Sequence, residues 1–188
     1  MAVSADDPPA INKRMAETKM VPVVLDLSTS ADIDIRLARK SRRRRLLEKC
    51  LRLCRQAYEQ GTVLSNCDLA EILNVGSTHI SRLLVEYERK TGEVVPRRAT
   101  IHDVGTALTH KRIICHKRYV NGKPSDQIAR ETYHSIGAVD RYLGQYDRVR
   151  HCQLHGMSQI ETAHTLGCSL FIVNEYLEID RELEAKDA

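Results

Sequence analysis

The chain has 188 residues, 42% of them hydrophobic, with one Phe, no Trp and nine Gly, which disfavours a β-rich fold and favours small helical cores. No apolar run approaches the ~20 residues that cross a bilayer, and no signal-peptide core is present, so the sequence predicts a cytoplasmic protein. The formal charge of +4 is unevenly spread: residues 31–60 and 97–150 each carry +6, and the last twenty residues carry −4. A polyanion is therefore expected to bind the middle of the chain and to be repelled by its end.

The first sixty residues divide into a leader and a long basic helix. Residues 1–30 hold Asp6, Asp7, three prolines and a Ser-Thr-Ser triplet without apolar periodicity, which predicts a mobile leader with at most one short strand over residues 21–27. Residues 31–60 follow a helical pattern that Gly61 ends. This helix carries four consecutive arginines, Arg42, Arg43, Arg44 and Arg45. Such a run is either a solvated helix face or a clamp on DNA phosphates.

A helix-turn-helix pattern follows over residues 68–84. Asn74-Val75-Gly76 is the predicted turn, and Ser77 is expected to cap the second helix. The inward-facing residues recur at helical spacing: Leu69, Ile72, Leu73, Ile80, Leu83 and Leu84. The residues predicted to contact DNA bases and phosphates are polar ones at the start of the second helix, Ser77, Thr78, His79, Ser81 and Arg82.

Two further copies of this pattern follow, and a small residue aligns them. Ala70, Ala129 and Ala163 occupy the same place in each copy, at unequal intervals that indicate modules rather than a solenoid repeat. The second copy follows a basic helix predicted over residues 106–120, and its own long helix is expected to end near Gly144. Its predicted DNA-facing residues are Ser135, Gly137, Asp140 and Arg141.

The segment after the first helix-turn-helix has the pattern of a wing. Residues 93–95 and 100–102 are short β-prone runs joined by Pro96-Arg97-Arg98-Ala99. Over roughly residues 45–104 the chain resembles winged-helix DNA-binding regulators. This resemblance implies that Arg97 and Arg98 contact the DNA backbone or minor groove. The alternative is a plain connector between two modules.

The third copy ends in an acidic helix, predicted over residues 169–183. Glu175 takes the register position that Arg82 and Arg141 hold in the other copies, and further acids follow it. This surface would repel phosphates, so the third copy is not expected to read DNA. The helix also has more apolar residues than one small module can bury. It is expected to pack on the second module or on another copy of the chain, forming a homodimer.

These patterns predict a mainly α fold of three tandem helix-turn-helix modules, the first with a short β-hairpin wing. The expected divisions are a leader (1–30), a winged module with a basic first helix (31–104), a second module (105–144) and a third module with the acidic helix (145–188). The DLA, HSIGAVDRYL and VNEYLE segments make residues 42–183 resemble an uncharacterised prokaryotic family of tandem helix-turn-helix proteins, known only as a domain of unknown function. That resemblance supports the architecture and implies no activity.

The sequence lacks the residue patterns of catalytic and metal sites. It has no Gly-rich phosphate loop, no GxSxG and no HExxH, and the modules leave little length for a catalytic core. The six cysteines form no CxxC pair, so most are expected to be reduced core thiols, although Cys115-His116 and His151-Cys152 with His155 are conceivable ligands. The prediction is a protein that is not an enzyme and needs no metal or cofactor.

The expected function is sequence-specific binding of double-stranded DNA, as a nucleoid-associated transcriptional regulator. Two alternatives stay open. Paired modules also resemble the bipartite DNA-binding regions of some transposases, which would make the protein an accessory of a mobile element in transposition or partition. The other alternative is a protein-interaction adaptor. Two separate stretches of +6 favour a DNA reader over an adaptor.

Overall fold

Two compact units make up the chain, Met1–Thr106 and Ala107–Ala188, called unit 1 and unit 2 below. The computed structural model describes the backbone of residues 1–10, 12–102 and 108–187. In these ranges the chain is mainly helical, as the sequence predicts, with one small sheet. Among the described helices, none combines the length and the apolar character that crossing a bilayer requires. The predicted boundary between residues 104 and 105 lies outside the described residues.

Unit 1 combines three short strands with helices. Its described elements are β1 (Ala2–Ser4), a 3-10 helix (Met15–Glu17), β2 (Met20–Val21), α1 (Ser30–Leu37), α2 (Arg42–Glu59), β3 (Thr62–Val63), α3 (Asn66–Leu73), α4 (Ser77–Thr91) and α5 (Arg98–Ile101). The strand order is β2-β1-β3, and both pairings are antiparallel. The core of unit 1 consists of apolar residues from β1, α2, α3, α4 and the chain beside them: Ala2, Leu47, Cys50, Leu51, Leu53, Cys54, Ala57, Leu64, Leu69, Ile80, Leu83, Leu84 and Val95.

The N-terminal residues belong to this fold, which corrects the prediction of a mobile leader over residues 1–30. Val3 pairs with Met20 on one side and with Val63 on the other. Ala2, Val3 and Ser4 are all buried. The strand therefore forms the centre of the sheet, although its three residues are too few to produce a periodic pattern in the sequence.

Polar side chains of α2 hold residues 24–32 against that helix. The Gln60 amide accepts from the Val24 N–H at 2.9 Å and donates to the Val24 carbonyl at 2.7 Å. Arg52 binds both carboxylate oxygens of Asp32, at 3.0 and 2.8 Å. The hydrogen bonds from Arg52 lower the pKa of Asp32. Val23 and Leu25 also pack against the core of unit 1, whereas the polar contacts leave no apolar pattern in the sequence.

The sequence predicts one helix over residues 31–60, whereas the chain forms α1 and α2 with a break between them. Arg39 in the break has a left-handed backbone with a φ of 50°. The Ser41 hydroxyl then caps α2 by accepting from the Arg44 N–H at 3.2 Å. The arginine run therefore occupies the first turn of α2 instead of the middle of a long helix.

Residues 93–102, where the sequence predicts a wing, contain no strand. Val94 and Val95 are 5% and 2% exposed, and α5 replaces the second predicted strand. These valines fill the interior of unit 1 rather than one face of a hairpin. The winged form of the first module is therefore wrong, and the sheet is built from the N-terminal strands instead.

All the described secondary-structure elements of unit 2 are helices. Its elements are α6 (Leu108–Tyr119), α7 (Ser125–Thr132), α8 (Ile136–Leu154), α9 (Gln159–Leu166) and α10 (Leu170–Asp187). All of them contribute to one core that includes Ile114, Ile128, Val139, Ala163 and Tyr176. The chain does not divide between residues 144 and 145 as predicted, because α8 continues through that position and the expected second and third modules share this core.

Three helix pairs repeat one backbone geometry: α3 with α4, α7 with α8, and α9 with α10. In each pair an eight-residue helix ends at a residue with a left-handed backbone, and the longer helix begins three residues later. The left-handed residues are Asn74, Tyr133 and Gly167, with φ of 51°, 57° and 61°. The next N–H donates to the carbonyl of the aligned alanine, at 3.0 Å for Ala70, 3.1 Å for Ala129 and 3.0 Å for Ala163.

Two glycines of unit 2 test these backbone assignments. Gly167 has the left-handed φ, whereas Gly144 lies inside α8, and an added β-carbon would meet nothing within 4 Å at either position. We expect Gly167→Ala to lower the free energy of unfolding by about 1 kcal/mol, because of strain at positive φ. Gly144→Ala should raise it by up to ~1 kcal/mol through helix propensity. Urea denaturation measures both, and effects of the same sign would contradict the assignments.

Candidate nucleic-acid interface

One face of α4 does not pack on the core of unit 1. It carries the polar residues that the sequence predicts to contact DNA. The helix packs on unit 1 through residues that are at most 2% exposed, Ile80, Leu83 and Leu84. In its first two turns the side chains of Thr78, His79 and Arg82 are exposed, and those of Ser77 and Ser81 are half-buried. Hydroxyl, imidazole and guanidinium groups all donate hydrogen bonds, so this face has the chemistry to bind phosphate oxygens and base edges.

The N-terminus of α4 differs from the prediction that Ser77 caps it. Gly76 is the N-cap residue and makes no side-chain cap hydrogen bond, and Ser77 is the first residue of the helix. Gly76 offers no side-chain acceptor, and its carbonyl accepts from the N–H groups of His79 at 3.0 Å and Ile80 at 3.2 Å. The N–H groups before these, at the positive end of the helix dipole, suit an anionic ligand such as a phosphate.

The arginine run at the start of α2 lies beside α4. Arg43 forms an ion pair with Glu86 of α4, and Glu86 also binds Lys90 at 2.8 Å. The hydrogen bond from Lys90, with the nearby charge of Arg43, lowers the pKa of Glu86. Glu86 lies one helical turn after Arg82, so the two groups predicted separately meet on one side of unit 1. We call the side chains of residues 42–45, Thr78, His79 and Arg82 the basic surface.

Arg97, predicted to contact DNA from a wing, is buried in unit 1. It is 6% exposed, and its guanidinium binds Glu88 at 2.7 Å and Asn66 at 3.3 Å. Glu88 is 0% exposed, and its other oxygen accepts from the Val95 N–H at 3.0 Å. The prediction for Arg97 is therefore wrong, because a buried carboxylate requires a cation beside it. Arg98 is half-buried at the start of α5.

One signal in the sequence points to the buried carboxylate. Glu88 follows Leu84 by four residues, and Leu84 follows Ile80 by four, so the three share the inward face of α4. An acid on the apolar face of a helix is expected to find a cationic partner when that face is buried. This position, rather than the β-prone valines, is the informative feature of the segment.

The predicted DNA-facing residues of α8 lie at the surface of unit 2. Gly137, Asp140 and Arg141 are exposed. Ser135 has a structural role, because its hydroxyl caps α8 by accepting from the Ala138 N–H at 3.1 Å. The Arg141 guanidinium lies over a neighbouring tyrosine ring, 5.4 Å from its centroid. These side chains form a second, less basic candidate surface.

The acids of α10 face the basic helix α6. Glu175 is 4% exposed and binds Lys111 at 2.9 Å, while Arg112 binds Glu178 at 3.4 Å and Glu182 at 2.6 Å. Glu175 has the register of the exposed arginine of α4, yet it is buried because α10 packs on α6, α8 and α9. The acidic surface that the sequence predicts is thus largely paired within unit 2.

Net charge separates the two units. Residues 1–106 contain 18 basic and 14 acidic residues, a net +4, and residues 107–188 contain 11 of each, a net zero. Part of the +6 of residues 97–150 is neutralised within the fold, because Arg97, Lys111 and Lys117 bind acids. The excess positive charge of the chain belongs to unit 1.

The cysteines are core residues in the main. Cys50, Cys54 and Cys115 are buried, and this burial raises the pKa of their thiols to about 11, 12 and 12. All six cysteines are free thiols, and Cys67 is exposed. The described residues contain no group of three or more His, Cys, Asp or Glu side chains that could hold a metal ion.

The described fold is a mainly helical one with repeated helix pairs, and the basic surface lies on the first of these pairs. The chain belongs to the family described as "Protein of unknown function (DUF1670)", whose model matches residues 1–179. The match agrees with the expected membership of an uncharacterised family and implies no activity. No curated protein and no solved structure matches the chain.

Loss of the Arg97 guanidinium should destabilise unit 1. Arg97→Met leaves the Glu88 carboxylate buried without its cation, so we expect the free energy of unfolding to fall by about 3–5 kcal/mol. Arg98→Met, at the neighbouring half-buried residue, is the matched control with an expected change within ~0.5 kcal/mol. The pair Arg97→Met with Glu88→Gln should recover most of the loss, because Gln carries no charge and keeps an acceptor for the Val95 N–H. Similar losses for Arg97→Met and Arg98→Met in urea denaturation would contradict the buried ion pair.

Glu131 should make the stability of unit 2 depend on pH. Lys117 binds its carboxylate at 2.5 Å and Lys123 at 2.6 Å, and these hydrogen bonds lower its pKa to about 2 from the ordinary 4.5. Because the pKa is lower in the folded state, the stabilising contribution is present above about pH 4.5 and is lost as the pH falls towards 2. Thermal unfolding of Glu131→Gln should therefore vary less across this window than that of the wild type. Glu184→Gln, at an exposed acid of the same unit, should keep the wild-type slope.

Proposed function

We propose that the protein is a sequence-specific DNA-binding protein and that unit 1 reads the DNA. In this proposal α3 and α4 act as a helix-turn-helix, with the start of α4 in the major groove and Thr78, Ser81 and Arg82 at base edges. The observation that carries the proposal is the ion pair of Arg43 with Glu86, which brings the first turn of α2 beside α4. The same surface thus offers groups for base contacts and groups for phosphate contacts.

The first turn of α2 supports a polyanion as the ligand. Its four arginines lie at the positive end of the helix dipole, and that turn contains no acid. The ion pair of Arg44 with Glu48, at 2.6 Å, offsets little of this repulsion because the two side chains are 57% and 29% exposed. DNA phosphates would neutralise these arginines and release bound counterions, which makes binding favourable at low salt.

The repeated geometry of the three helix pairs supports a tandem helix-turn-helix organisation. Unit 2 is the lesser contributor to phosphate binding, because its net charge is zero and its α6 and α10 charges bind each other. The exposed residues Gly137, Asp140 and Arg141 of α8 are candidates for secondary contacts with bases. We place the protein among nucleoid-associated transcriptional regulators that act as homodimers. An adaptor role is the second candidate, favoured by the apolar side chains of Leu170 and Phe171 at the surface of unit 2.

Selection of binding sequences from a random duplex library, followed by titrations at several salt concentrations, tests this function. We expect log affinity to fall linearly with log salt, with a slope of about −0.9 per phosphate contacted. Arg82→Ala should relax the sequence preference at one or two base pairs, at a cost of roughly 1–3 kcal/mol each. Affinity that does not change with salt would refute the proposal.

Charge variants of the basic surface separate phosphate contacts from base contacts. Arg43→Gln with Arg44→Gln should weaken all duplexes about equally and reduce the salt slope by about 2. Glu86→Gln should have the opposite effect, because it removes an acid that binds Arg43 and Lys90. Arg181→Gln, at an exposed arginine of α10, is the matched control and should leave affinity unchanged. Equal losses from Arg181→Gln would show that the effect is one of overall charge.

A further inference from the structure

Two apolar side chains at the start of α10 are exposed. Leu170 and Phe171 are the first residues of this helix and are 41% and 60% exposed. The corresponding first residues of α4, Ser77 and Thr78, are polar. The rest of the apolar side of α10 is buried in the core of unit 2. Burying a Leu or Phe side chain removes apolar surface from water, so an exposed pair of them favours a protein partner.

The charge around an apolar surface determines which partner it can bind. A second apolar surface, on α1, serves as a comparison with the start of α10. Ile33 and Leu37 share one face of α1, are 58% and 75% exposed, and belong to a helix with no buried residue. Residues 36–45 contain seven arginines and lysines. Two copies that met at α1 would bring these like charges together, which opposes self-association there.

Unit 2 does not oppose self-association in this way. Its 11 basic and 11 acidic residues balance. Many of them are paired inside the unit, as in the Arg112–Glu182 contact at 2.6 Å and the Lys117–Glu131 contact at 2.5 Å. A unit without net charge neither repels its own copy overall nor attracts a strongly charged partner. In an isologous contact each Leu170 and Phe171 would pack on the same residues of the other copy.

We infer that two copies of the chain associate through Leu170 and Phe171 at the start of α10. The inference rests on the proposed function for its purpose, because the contact residues belong to unit 2 and the proposed DNA-reading helix α4 belongs to unit 1. Two copies then present two α4 helices to two half-sites. Two side chains per copy bury less than the roughly 800 Å² per partner of a standard interface, so the association is weak in solution and is strengthened on DNA that carries two sites.

Sedimentation of the full chain over a wide range of concentration tests the contact without DNA. We expect the average mass to rise with concentration for the wild type and to remain that of a monomer for the double variant Leu170→Asn, Phe171→Ser. Leu154→Ser, at another apolar residue of unit 2 that is 75% exposed, is the matched control and should associate like the wild type. Thermal unfolding shows that each variant is folded. A wild type that is monomeric throughout, or a double variant that still associates, would overturn the inference.

Duplexes with one or two selected sites separate this inference from DNA binding itself. The wild type should bind the two-site duplex about tenfold more tightly per copy than the one-site duplex, within the usual range of coupling. The double variant should lose this difference and keep its one-site affinity. Failure to bind one site refutes the proposed function and leaves the sedimentation result standing. One-site binding by a protein that never self-associates refutes the α10 contact alone. The α10 contact is also refuted if association is lost in the α1 variant Ile33→Ser, Leu37→Ser and kept in the Leu170, Phe171 variant.

Discussion

One buried guanidinium holds both helices of the first pair. Arg97 binds Glu88 near the end of α4 at 2.7 Å and Asn66 at the start of α3 at 3.3 Å. A buried charge that loses its partner costs several kcal/mol, so the two helices cannot rotate about each other without a large loss of stability. At the turn, the Val75 N–H donates to the Ala70 carbonyl at 3.0 Å and fixes the other end of the pair. The polar face of α4 is therefore held in one orientation, as a surface that discriminates between ligands requires.

Pairing of opposite charges also explains why the charge pattern of the sequence misleads in unit 2. Lys111 and Glu175 are separated by 64 residues in the chain, yet they bind each other at 2.9 Å. A basic stretch and an acidic stretch that pack together cancel each other's field. The net charge of either stretch therefore overstates the electrostatic potential that acts on a ligand. The charge that acts on a ligand is the part left unpaired at the surface, and in this chain the net excess belongs to unit 1.

The elements that the sequence predicts well depend on neighbours within one or two helical turns. Apolar spacing and the aligned alanines locate the paired helices and the exposed Thr78 and Arg82 of α4, because each of these follows from local periodicity. The pairing of Val3 with Val63 and the contact of Arg97 with Asn66 depend on residues distant in the chain, which periodicity cannot indicate. The wing fails for the same reason. Its valines have β propensity, but the core of unit 1 takes them up, and propensity yields to burial where the two compete.

The ion pairs of Glu86 with Arg43 and Lys90 indicate how an anionic ligand would bind to unit 1. Arginines in the first turn of α2 oppose the helix dipole, so stability alone does not account for them. Glu86 binds Arg43 and Lys90 in the free protein and lowers the positive potential of the basic surface. A phosphate that approaches competes with Glu86 for the same donors, and the gain on binding is the difference between two ion pairs rather than the whole of one. Under the proposed function this competition with Glu86 weakens binding and allows ready dissociation, as a search along DNA requires.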